Sequence, residues 1–170
     1  IGGSGLEVSE ANAKIPQQSI EENGTIFLEP DSNKVVNALI ESGQLLIEID
    51  NYMDLSSAIN ISIPNLEDPA GNIFSTSIDI LSNTFEIINQ TNLAGYSLIM
   101  DPNDQSVQYN YDVLTVDSGD NFILVTSNDS INVKIGLQGL EQEPNITFSE
   151  FTGYLSQDAM LDSNSINLES

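Results

Sequence analysis

Apolar and polar residues alternate with a period of two through most of this chain, and Gly, Pro, Asn and Asp break the alternation at short intervals. That period sends successive side chains to opposite faces of a pleated strand, whereas a helix needs apolar residues three to four apart. Leu45, Ile47 and Ile49 share one face of a strand at Gln44–Asp50, with Gln44, Glu48 and Asp50 opposite alongside Leu46. Ile59, Ile61 and Ile63 alternate with Asn60, Ser62 and Pro64, and Phe74, Thr76, Ile78 and Ile80 with Ser75, Ser77 and Asp79. The habit repeats in Val107, Tyr109, Tyr111 and Val113, and again in Ile131, Val133, Ile135 and Leu137.

Shorter strands are expected at Gly24–Glu29, Val35–Ile40, Thr84–Ile88, Tyr96–Met100 and Phe122–Thr126, with a long one at Ile146–Leu155 and a final edge at Ser165–Leu168. Turns are expected at Pro30–Asn33, Ser42-Gly43, Asn65–Gly71, Asp101–Asp104 and Asp117–Asn121, where Pro fixes φ and Asx side chains hydrogen-bond the bend. Helical evidence is confined to Val35–Ile40 and Phe85–Leu93, neither of which follows a capping box. The expected fold is therefore all-β, an antiparallel β-sandwich of Ig-like or jelly-roll-like kind.

Residues 1–23 are polar and aperiodic and read as a flexible lead-in or linker, leaving 24–170 as the sandwich domain. Two stretches resemble each other inside it. Ser42-Gly43 precedes Ile59-Asn60-Ile61, and Ser118-Gly119 precedes Ile131-Asn132-Val133, with the Ile-Asn segments 72 residues apart. Two similar β units, 24–100 and 101–170, would produce this pattern, as would chance similarity between Asn-rich strands.

Charge narrows the function. The chain carries 26 carboxylates against three lysines (Lys14, Lys34 and Lys134), no arginine and no histidine, a formal net charge of −23. Such a surface repels phosphate backbones and anionic headgroups, which excludes nucleic-acid binding and attachment to anionic membranes. Charged residues are only 17% of the chain, so the acidity reflects missing bases, with Asn and Ser filling the surface. This composition suits a secreted or cell-surface protein in a medium whose salt screens the self-repulsion. No apolar run approaches the roughly 20 residues of a membrane span, and no basic segment with an apolar core stands at the start of the sequence.

Without His or Cys there is no Ser-His-Asp or Cys-His nucleophile, no disulfide and no thiolate metal site. A Ser-Lys dyad, or a lysine–asparagine crosslink, would need Lys134, whose place in the alternation points it outward. Phosphoryl transfer lacks a phosphate loop. A pair of carboxylates could serve a hydrolase, but the chain has no Trp, six Phe and five Tyr, too few aromatics for the usual sugar cleft. Calcium is the metal these residues would suit: Asp101, Asn103 and Asp104 form one candidate group, and Asp117, Asp120 and Asn121 another. The competing reading is that these side chains cap their turns. Tyr109 and Tyr111 share a strand face and could stack on sugar, although flanking Val107 and Val113 assign them to the core. Five Asn-x-Ser/Thr sequons, at Asn23, Asn60, Asn89, Asn128 and Asn145, are what a chain this rich in Asn and Ser produces by chance.

The expected function is a non-catalytic structural or adhesive module that contacts a protein partner or neighbouring copies of itself. The alternatives are a carbohydrate- or lipid-binding module and a carboxylate-dependent hydrolase. A sugar binder requires exposed aromatics, and a lipid binder an apolar cavity between sheets.

Overall fold

A computed structural model describes residues 10–27, 34–139 and 146–154, and every regular element among them is a strand. In chain order these are β1 (Glu10–Ala13), β2 (Ser19–Phe27), β3 (Lys34–Ser42), β4 (Gln44–Asn51), β5 (Ser57–Glu67) and β6 (Ile73–Ile80). They continue with β7 (Ile87–Asn92), β8 (Ser97–Ile99), β9 (Ser106–Thr115), β10 (Ile123–Thr126), β11 (Ile131–Gln138) and β12 (Thr147–Tyr154). All pairings are antiparallel. A seven-stranded sheet runs β12-β3-β8-β5-β9-β2 with β6 on the other side of β5, a three-stranded sheet runs β11-β4-β7, and β1 pairs with β10. The chain is an all-β sandwich, as its alternation implies.

The two larger sheets are joined by bent strands. β3 lies in the large sheet and β4 in the small one, with only Gly43 between them. Ser42-Gly43, expected to close a hairpin, is instead a corner at which one extended segment passes from sheet to sheet. The neighbours follow the same path: β7 pairs with β4 and β8 with β3, while β11 pairs with β4 and β12 with β3. Chain crossing at a sandwich corner needs a residue that tolerates close packing, and a Cβ on Gly43 would lie 2.9 Å from the Ile146 side chain.

One cluster fills the space between the sheets. Leu45, Ile47 and Ile49 on β4, Ile59, Ile61 and Ile63 on β5, and Phe74, Ile78 and Ile80 on β6 are all buried in it. These are the faces that the alternation selects. β11 adds Val133, Ile135 and Leu137, partly buried at the flank, and Lys134 points outward to Glu48 at 3.5 Å.

Three expectations change. Residues 10–13 and 19–23, read as part of a flexible lead-in, are strand, because β1 and the start of β2 satisfy their backbone on β10 and β9. Val35–Ile40 lies in β3, and the strand expected at Thr84–Ile88 starts later, β7 running Ile87–Asn92, since the ladder with β8, β12 and β4 takes the amides of both rather than helical turns. The Asn65–Gly71 turn starts later, because β5 runs on to Glu67 before Asp68 closes the bend. Strand pairing crosses the boundary between residues 24–100 and 101–170: β2 pairs with β9, β3 with β12 and β4 with β11. The expected edge at Ser165–Leu168, the Pro30–Asn33 turn and the last residue of Ile146–Leu155 lie outside the described residues.

Polar side chains complete the ladder where strands change partner. β5 pairs with β9 along Ser57–Ser62 and with β8 at Leu66 and Glu67. Asn65 spans the join, its amide donating to Ile99 O (2.9 Å) and its oxygen accepting from Gln108 N (2.7 Å). At the next bend the Asp68 carboxylate accepts from Ala70 N, Asn72 N and the Asn72 side chain. Those bonds, the Asn72 side chain foremost, hold its pKa below the ordinary carboxylate value.

Ser57 breaks the pattern: its hydroxyl is buried at the end of the β5 core face with no hydrogen-bond partner among the described residues. Removing an unpartnered hydroxyl relieves a desolvation penalty and leaves a site hardly smaller. Ser57→Ala is expected to be neutral or to stabilise by up to about 1 kcal/mol in urea titration. A loss above that size would mean the hydroxyl is satisfied, for instance by buried water.

Candidate functional site

At the end of the sandwich where β4 stops, one buried side chain bonds two loops. Asn51 is completely buried. Its amide donates to Leu55 O (3.0 Å) and Leu81 O (2.9 Å), and its Oδ1 accepts from Met53 N (3.0 Å). Its own N–H donates to Thr84 O at 2.8 Å. Asn51 thus ties the 52–56 segment to the 81–86 segment, two loops that have no ladder of their own, and Asn83 N to Met53 O (2.9 Å) and Ser82 N to Ser56 Oγ (3.2 Å) join them as well.

Further bonds set the shape of the second loop. Asn83 and Glu86 both have left-handed backbones, with φ of 51° and 56°. Asn tolerates that region, but for Glu it costs on the order of 1 kcal/mol. The Asp50 carboxylate accepts from Glu86 N at 2.8 Å and holds it there, and Asn83 Nδ2 donates to Asp54 Oδ1 at 3.0 Å. The frame presents two rings to solvent. Tyr52 and Phe85 are 45% and 48% exposed, with centroids 4.9 Å apart and planes inclined at 51°.

A second feature is an open trough of about 720 Å3 across β2, β9, β5 and β6. Register places Glu21, Asp112, Asn60 and Ser77 in one cross-strand row, and Asn23, Asn110, Ser62 and Ser75 in another. Both rows lie on the side of the sheet away from the core, since Ile61 between them is buried. Asp112 accepts from Ser19 Oγ (2.6 Å) and Asn60 Nδ2 (3.2 Å), which engages both of its oxygens. Tyr109 and Tyr111 are on the inner side, half-buried against the core, with rings 6.4 Å apart and nearly parallel. Burial, then the Glu22 carboxylate and Tyr109, push the Tyr111 phenol above its usual pKa. The Tyr109 ring lies over Gly24 on the paired strand, where any Cβ would overlap it. The tyrosines assigned from their spacing to the core do pack against it, and Tyr111 also borders the trough beside Ile61.

The third feature is an edge. β12 pairs with β3 on one side and closes the sheet on the other among the described residues. All eight of its residues are exposed, Phe148, Phe151 and Tyr154 among them.

The candidate calcium ligands occupy two separate turns. Asp101 accepts from Asn103 N (2.8 Å) and Asn103 Nδ2 (3.2 Å), while Asp104 accepts from Ser106 Oγ (2.5 Å). Asp117 accepts from Gly119 N (2.6 Å), and Asn121 N donates to Ser118 O. Asp120 pairs with Lys14 at 2.8 Å, and Ser118 exchanges two hydrogen bonds with Ile15, so that turn docks the segment between β1 and β2. No three acidic side chains converge among the described residues.

No protein-family model and no curated protein matches the chain. A solved structure titled "Structure of infectious bursal disease virus Gx strain" aligns with 96% of this chain and 50% of that chain, at 12% identity and a TM-score of 0.20. The chain thus spans about half of that viral chain, and a likeness this slight carries no argument about fold or function.

Tyr52, Phe85 and Asn51 had no sequence signal. The rings are 33 residues apart in the sequence and sit in segments with no alternation. Only the corner geometry that places β4 beside β7 brings them together.

Proposed function

We propose that this chain is a non-catalytic structural or adhesive module of a secreted or cell-surface protein, and that it joins neighbouring copies of itself through its sheet edge. The observation that supports this reading is β12. An exposed strand of eight residues with three aromatic side chains and one side unpaired among the described residues is a template for another strand. Among the usual protections of a natural edge, β12 lacks lysine, proline and brevity, and carries register irregularities against β3 and the charge of Glu150. The non-catalytic part of the reading is supported by the trough, where Asp112 is engaged by Ser19 and Asn60. The extracellular part rests on a charge of −23 with Asn and Ser on the surface.

Charge makes the reading testable. Two copies at −23 repel each other, so pairing is expected to be suppressed at low ionic strength. It should emerge as the screening length falls from about 30 Å at 0.01 M salt to about 3 Å at 1 M. Sedimentation velocity is expected to show monomer in low salt and dimers or longer species in high salt, with Phe151→Lys monomeric throughout. The added lysine lowers the repulsion between copies, so lost association can come only from the altered edge. A parent chain that stays monomeric at every salt concentration, or a Phe151→Lys variant that assembles like it, would reject edge pairing.

A further inference from the structure

Edge pairing makes no use of the aromatic end of the sandwich. We propose that Tyr52 and Phe85 form a stacking platform for a neutral polysaccharide, a binding site independent of β12.

Two half-exposed rings in contact, inclined at 51°, leave part of their aromatic surface to solvent, beside the buried Leu55. The rings are fixed before any ligand arrives. Asn51 holds both loops, Asp50 holds the left-handed Glu86 next to Phe85, and Asn83 is tied to Asp54. A frame ordered in advance lowers the entropy lost on binding. Such outlay of buried hydrogen bonds and backbone strain positions rings that contribute little to the core themselves.

The surroundings select the ligand. Asp54, Asn83 and Thr84 lie within two residues of one ring or the other and supply donors and acceptors. Aromatic faces bordered by such groups match a molecule with a C–H face and hydroxylated edges, which is the chemistry of a pyranose. With a net charge of −23 and no arginine, the chain disfavours sulfated, phosphorylated or uronate sugars, which leaves neutral glycans.

The test is affinity electrophoresis of the full chain through gels containing a cellulose-type glucan, a mannan or a galactan, at low salt. Phosphatidylcholine vesicle flotation is run beside it, and tyrosine fluorescence serves as a direct titration because the chain has no Trp. Retardation is expected in at least one gel. Phe85→Ala and Tyr52→Ala should each weaken binding about tenfold or more, as for aromatic anchors elsewhere. Tyr52→Phe should retain most of it, and Phe151→Lys should bind like the parent, which separates this site from the edge. Should Phe85→Ala fail to fold, Phe85→Leu keeps an apolar contact while removing the ring face: lost retardation then supports the platform, and kept retardation overturns it. No retardation in any gel, retardation indifferent to both rings, or flotation with vesicles in its place would each overturn the proposal.

Discussion

Ile47→Ala is expected to cost about 3–4 kcal/mol of stability and to lower Tm by about 10 °C. Ile47 is wholly buried at the centre of β4, the middle strand of the small sheet. It shares one cluster with Ile59, Ile61 and Ile63 of the large sheet. Truncation removes three carbons from a site where strands on both sides are fixed by ladders, so the walls cannot collapse into the cavity. Ile88 provides the matched control. It lies on β7, opposite Glu48 of the same sheet, but faces outward and is 58% exposed, so Ile88→Ala should stay within about 0.5 kcal/mol. Urea titration of both variants decides the point. Equal losses would mean that the two faces of the small sheet are not inside and outside, and the sandwich would be wrong.

That pair of residues also marks how far the sequence could be read. Ile47 sits in strict alternation, and so do Ile59–Ile63 and Phe74–Ile80; in each case the period alone separated buried from exposed faces. Period carries no information about which sheet a strand joins. β3 and β4 look like the arms of a hairpin because Ser42-Gly43 is turn-like, yet they belong to different sheets. Whether such a pair closes into a turn or bends into a corner depends on contacts with Ile146, Leu93 and Tyr96, all distant in the sequence. The same limit hid the division of partners along β5, where Asn65 reads as a turn residue but serves as a substitute rung between β8 and β9. The Asp-rich turns were found correctly, and the hydrogen bonds of Asp101, Asp104 and Asp117 to nearby donors show side chains capping their bends. The aromatic end was not legible: Tyr52 lies past the strand Gln44–Asp50, and the strand expected at Thr84–Ile88 gives no sign that Phe85 meets it.

Asn51→Leu is expected to destabilise the chain by about 3–5 kcal/mol, although leucine fills similar space. The side chain satisfies three backbone groups: the carbonyls of Leu55 and Leu81 and the N–H of Met53. An apolar replacement leaves them without partners at a completely buried position, at about 1–3 kcal/mol each, less whatever water entering the loosened loops recovers. Asn51→Asp separates hydrogen bonding from volume. The carboxylate keeps the bond from Met53 but brings a negative charge against two carbonyl oxygens, so its pKa in the folded state must rise. The folded state then binds the proton more tightly than the unfolded one, so stability falls as pH rises above the ordinary Asp value of about 3.9. Asn51→Asp should therefore lie closer to the parent near pH 4 than near pH 7, whereas the deficit of Asn51→Leu should be the same at both. Hydrogen exchange should show the loss locally as well, with Met53 N and Tyr52 N opening sooner in either variant than amides in β5. If both variants melted like the parent, the two loops would be held by something other than Asn51. The frame under Tyr52 and Phe85 would then rest on the other bonds between the loops, from Asn83 N to Met53 O, Ser82 N to Ser56 Oγ and Asn83 Nδ2 to Asp54 Oδ1.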